Sequence, residues 1–231
     1  MVRTSLAAVA ATICLLAISG SAQGAQAKST SFRRCAAAHK STARSFHGSR
    51  CPRHTARRHR RRHSHALFFK AVNGHCRAAN LNPNAGNVAL VRAATLCLVN
   101  RERARHGERA LHWNDRLIGA AQAHTTSMAV GGYFAHSGSN GSTPLARMRR
   151  SGYIYSSHLG FEVGENIGWG SLWLGSPRAV VAAWMASPGH RANILDGRFR
   201  DTGIGVSPHL GRLAPGQDGG LYTQDFGVIS G

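Results

Sequence analysis

Trp184-Met185-Ala186-Ser187-Pro188-Gly189-His190-Arg191-Ala192-Asn193-Ile194-Leu195 holds a helix end, a helix start and a buried-looking histidine in one run. Ser187-Pro188 is a start signal. A serine hydroxyl can accept from a first-turn N–H, and proline at the first helical position gives up no hydrogen bond. Upstream, Val180, Val181 and Trp184 share a helical stripe, so a preceding helix should close near Ser187. The same Ser/Thr-Pro device recurs at Ser176-Pro177 and Thr143-Pro144. Three short helices are therefore expected: one from Pro144 to about Ser151 with Gly152 as its stop, one from Pro177, and one holding His190 to Leu195.

Two longer helices precede these. Val88 to His106 places Val91, Thr95 and Leu98 on one stripe, with Asn87 able to cap the start and Gly107 the end. After Asn114, another capping residue, Leu117, Ala121, His124 and Met128 form a second stripe that ends at Gly131-Gly132. Strands are expected at Gly164 to Trp169, Thr202 to Ser207 and Leu221 to Val228, each bounded by glycine-rich turns. The links are too short for βαβ crossovers, so the fold class is α+β.

Three polar residues stand in apolar company: His136 in Phe134-Ala135-His136-Ser137, Glu165 in Gly164-Glu165-Asn166-Ile167, and His190. Two imidazoles and a carboxylate are the ligand types of an open zinc site. They are equally an acid–base pair with an orienting carboxylate. Spacing alone selects neither, and each residue also has a plain reading as a hydrogen-bonded structural group. His124, on an apolar stripe, reads as a packed structural histidine. Ser137 lacks the GxSxG elbow of a serine hydrolase. Trp169 and Trp173 flank a glycine-rich segment and read either as core or as an exposed lipid-contacting loop.

Taken together, Asn100-Arg101-Glu102-Arg103, Phe134-Ala135-His136-Ser137, Gly164-Glu165-Asn166-Ile167, the 184–195 run, Gly203-Ile204-Gly205-Val206 and Tyr222-Thr223-Gln224-Asp225-Phe226-Gly227 resemble the bacterial secreted branch of the CAP superfamily, which includes cysteine-rich secretory proteins, venom antigens and pathogenesis-related proteins. The resemblance implies a three-layer α-β-α sandwich around a small antiparallel sheet. It also implies a shallow cavity lined by two histidines and two acids. By motif, His136 and His190 take the histidine roles and Glu165 one acid role. The second acid belongs where Ser187 stands, and that leaves at best a weak divalent (zinc) site of His136, His190 and Glu165. Ser187 itself reads as a helix cap.

The N-terminal part is of another kind. Arg3 followed by the apolar stretch Leu6 to Ile18 and small residues reads as an export signal over 1–27, implying a secreted, extracellular protein. Residues 28–72 hold thirteen Lys or Arg and no acid, with almost no aliphatic residues, and read as a disordered basic arm. All nine acids lie beyond residue 101, so the net charge of +20 belongs mostly to that arm. The domain proper is 73–231. Export leaves Cys35, Cys51, Cys76 and Cys97, for which four cysteines allow three pairings. The preferred one is Cys35–Cys51 with Cys76–Cys97, the latter closing about 20 residues and contributing roughly 3 kcal/mol. Three functions compete: a binding module for a lipid, sterol or protein; a metal-dependent or His/Glu hydrolase; and a binder of anionic wall polymer or membrane surface through 28–72. Export argues against nucleic acid as the partner.

Overall fold

The computed structural model describes residues 75–230 and the strand Ile13–Gly20. The rest of the expected export signal, the basic arm and Cys35–Cys51 lie outside the described residues. In chain order the elements are β1 (Ile13–Gly20), α1 (Val88–Arg105), β2 (His112–Trp113), α2 (Asp115–Gly131), α3 (Pro144–Arg150), β3 (Gly160–Ser171), a 3-10 turn (Leu172–Gly175), α4 (Pro177–Ala186), α5 (Pro188–Leu195), β4 (Asp201–His209), a second 3-10 turn (Gly211–Leu213) and β5 (Asp218–Ser230).

The start signals act as their chemistry predicts at three helices. Asn114 accepts from Arg116 and Leu117 N–H, Thr143 from Ala146 N–H, and Ser176 from Ala179 N–H. Two caps differ. Asn87 sits at the start of α1 but turns its side chain back to Asn84 N–H and the Asn82 carbonyl. Ser187 makes no cap bond, because its hydroxyl is taken by His190.

The sheet runs β1-β3-β5-β4-β2. Its three long strands, β3, β5 and β4, are antiparallel neighbours as expected, and the short β2 adds a parallel pair with β4. Alternation along the strands sends successive side chains to opposite faces. Tyr222, Phe226, Ile204 and Val206 pack with α1, α4 and α5 around Trp184. On the other face, Val163, Ile167, Trp169 and Leu221 meet α2 and α3 through Leu117, Met148 and Met128. Three layers result. Gly203 and Gly205 let α2 lie directly on β4, since a Cβ at either would strike the backbone at Leu117 or Ala121. Cys76 and Cys97 form the expected disulfide, tying the segment before α1 to that helix across 21 positions.

Candidate functional site

The polar cluster lies on the α2/α3 face. Glu165, in mid-β3, points there together with Val163 and Ile167. His136, in the loop after α2, donates from Nδ1 to Glu165 Oε1 at 2.7 Å. The second carboxylate oxygen accepts from Arg147 Nη2 at 2.6 Å. Arg147, on α3, also donates to the carbonyls of His136 (2.9 Å) and Ser142 (2.8 Å). One guanidinium thus fixes the loop, the helix and the strand together. A bidentate-capable, planar group is suited to that task in a way that lysine is not.

Opposing effects set the charge of Glu165. Burial would raise its pKa, but the His136 bond and the Arg147 charge hold it below the ordinary carboxylate value. Asp225 lies across the ladder from Glu165, on β5 and on the same face. Burial and the neighbouring Glu165 charge push its carboxyl well above the ordinary value. Two adjacent carboxyls in a dry site cannot both ionise, and the one with a cation and an imidazole keeps the charge. His124, on α2, donates from Nε2 to Ala135 O at 2.9 Å, and burial lowers its pKa.

The structure joins His136 and Glu165 but does not bring His190 to them. His190 is carried by α5, on the opposite face of the sheet. Its Nδ1 contacts Ser187 Oγ at 2.7 Å, and its carbonyl accepts from Asn166 Nδ2 at 3.1 Å. Asn166 follows Glu165 directly, so the two side chains leave β3 on opposite sides. Among the described residues no group of three or more His, Cys, Asp or Glu is placed to hold a metal ion. The zinc set His136, Glu165 and His190 is therefore corrected, and so is Ser187 as a cap: its hydroxyl orients the His190 ring.

Arg147 and Asp225 were not singled out by the sequence. Arg147 sits in Arg147-Met148-Arg149-Arg150, which reads as a solvated basic run. It stands about 200° around α3 from Leu145 and about 100° from Met148, so helical spacing does not mark it as facing inward. Asp225 was inside a quoted motif, and its flanking Thr223 and Gly227 mark the same strand face.

A cleft of about 540 Å³ opens beside this cluster, between α2 and α3. Gly119, Ala120, Ala123 and Ser127 of α2 form one wall, and His124 and Arg147 border it from within. Arg116 and Arg150 line it too, against one acid, Asp115.

The model of the cysteine-rich secretory protein family, CAP, matches residues 96–225. The chain belongs to this family. A relative from Bacillus subtilis (strain 168), the uncharacterized protein YkwD, is 33% identical over 129 residues, which are 56% of this chain and 44% of that protein. The CAP chain thus spans less than half the length of that relative. Among solved structures, an extracellular protein containing an SCP domain from Bacillus anthracis str. Ames is 24% identical, with a TM-score of 0.43 over 61% of this chain and 40% of that one. An outer surface protein from Borrelia burgdorferi is 16% identical, with a TM-score of 0.47 over 64% of this chain and 97% of that one. No helix among the described residues is long and apolar enough to cross a membrane.

Proposed function

We propose that this CAP protein is an exported binding module that takes a small, largely apolar ligand with an acidic group into the α2–α3 cleft. The observation that carries the reading is the cleft itself. Small side chains of α2 line an apolar wall, and His124 and Arg147 border it, with Arg147 bonded behind it to Glu165, which holds His136. Arginines outnumber acids around it, and that composition favours an anionic head group. Export is supported by a disulfide, which persists in oxidising compartments.

Acid–base chemistry at His136 is the second reading. Glu165 orients its ring as a general base requires, yet His136 Nε2 is buried and has no partner among the described residues. A base must reach its proton within hydrogen-bond distance, so this seclusion favours a scaffolding role.

The test uses a dansyl-labelled fatty acid. Ala123 is exposed on the cleft wall, so Ala123→Trp fills the cleft without entering the core. Fluorescence titration should show binding by the parent chain and a loss of about tenfold or more in Ala123→Trp. Equal affinity for both would place any ligand elsewhere. Hydrolysis of an ester analogue that disappears in His136→Asn would move the assignment to the second reading.

A further inference from the structure

One end of the α2–α3 cleft holds two polar atoms that the fold does not satisfy. His124 is 1% exposed and Arg147 6%, and both side chains border the cleft. His124 Nε2 lies 2.9 Å from the Ala135 carbonyl. A carbonyl can only accept, so the ring proton sits on Nε2. Burial lowers the pKa below the ordinary 6.5, and the nearby Arg147 charge lowers it further. At neutral pH the ring is therefore uncharged, and Nδ1 is a bare acceptor. Arg147 commits Nη1 to Ser142 O, and Nη2 to His136 O and Glu165. Its Nε–H donor is left over. Neither His124 Nδ1 nor Arg147 Nε has a hydrogen-bond partner among the described residues, and both atoms are buried. Buried polar groups are ordinarily paired. One unmet acceptor near one unmet donor calls for a group that supplies the converse of each.

The other end of the cleft is charged. Arg116 and Arg150 are exposed there. Arg116 Nη1 donates to Gly152 O at 2.7 Å, which fixes the start of α2 against the end of α3. The two helices thus run in opposite directions along the cleft, with His124 near Arg147 at one end and Arg116 near Gly152 at the other. Arg116 and His124 are eight positions apart on α2, and that is about 12 Å at the helical rise. Gly119, Ala120 and Ala123 line the stretch between them and bring no polar side-chain atom to it.

We infer that the ligand is a medium-chain acid with a hydroxyl at its far end, the hydroxyl seated at His124 Nδ1 and Arg147 Nε and the carboxylate at Arg116 and Arg150. The inference rests on the binding role of the cleft and adds the ligand's chemistry and direction. A hydroxyl has one proton to give His124 and lone pairs to offer Arg147. A carboxylate in the same place would set its lone pairs against Nδ1, so the charged end is directed to the two exposed guanidiniums. A methyl end would leave both buried groups unmet. Sites built to hydrogen-bond a hydroxyl reject the analogue that lacks it far more strongly than apolar pockets reject a lost methylene.

The experiment is titration calorimetry of the full chain at about pH 7.5 with three acids of matched length: 10-hydroxydecanoic, undecanoic and 10-methoxydecanoic acid. The hydroxy acid should bind at least about tenfold more tightly than undecanoic acid, in which a methyl replaces the hydroxyl. The methoxy acid offers Arg147 an acceptor but gives His124 no proton, and it should fall to the undecanoic level or below. Ala123→Trp should weaken all three. Equal affinity for the hydroxy and undecanoic acids, lost in Ala123→Trp, would overturn the inference and leave the cleft as the binding site. A methoxy acid as tight as the hydroxy acid would overturn it too, since Nδ1 would then not be the partner of the hydroxyl. Binding that Ala123→Trp leaves unchanged, or no binding of any of the three, would remove the cleft reading along with it.

Discussion

Asp225 and Glu165 face one another from adjacent strands, and their carboxyl pKa values are shifted in opposite directions, Glu165 down and Asp225 up. The raised partner makes stability depend on pH with an unusual sign. Below its unfolded value of 3.8 the Asp225 carboxyl is protonated in both states and costs nothing. Above that, the folded chain holds a proton that the unfolded chain has released, so stability falls as pH rises toward the folded-state pKa. Asp225→Asn copies the protonated form and removes that dependence. Its melting temperature should match the parent near pH 4 and exceed it by roughly 3 °C or more at pH 8. A variant equally destabilised at both pH values would show Asp225 to be ionised in the native state. Glu165, whose folded pKa is depressed, contributes in the other direction, losing stability as pH falls below 4.5, and it does so in both variants alike. His136 and Glu165 were legible in the sequence as polar residues in apolar surroundings. Their charge partners were not, because pairing Glu165 with Asp225 requires the register of two strands sixty positions apart.

At the scale of elements, the Ser/Thr-Pro starts were the most legible feature, since a cap and a fixed φ act within three residues. Strand cores were legible too, although β3, β4 and β5 each extend beyond the expected bounds. The side of the sheet on which each helix lies was not legible. That is why His190 was grouped with Glu165: nothing local tells a reader that α5 covers the Asn166 face. The approach of α2 to β4 is testable by opposite-signed glycine substitutions. Gly205→Ala sets a methyl against the Ala121 backbone, which cannot yield as a side chain can, and should cost about 2–3 kcal/mol. Gly119→Ala, on the same helix with nothing within 4 Å of its new methyl, should instead stabilise by up to about 1 kcal/mol through helix propensity. Thermal melts of the pair check this, and a neutral Gly205→Ala would mean that the two layers can separate.

Over the whole molecule, the order of strands differs from the order of synthesis. β5, the last strand in the chain, lies between β3 and β4 and bonds to both along most of their length. Arg103 repeats the pattern within the core. It is wholly buried on α1 and donates to the carbonyls of Ile194 and Asp196, more than ninety positions ahead. A chain ending at Gln217 keeps every helix yet lacks the strand that joins the sheet. It should show no cooperative melt by circular dichroism, and a cooperative one would mean that β3 and β4 can close without β5. Contacts this distant in sequence form slowly, because chain closure has to precede any gain from them. Wherever synthesis stops, the native layers cannot close before β5 is available, so β3 and β4 must wait, with their facing edges unpaired, for that thirteen-residue strand.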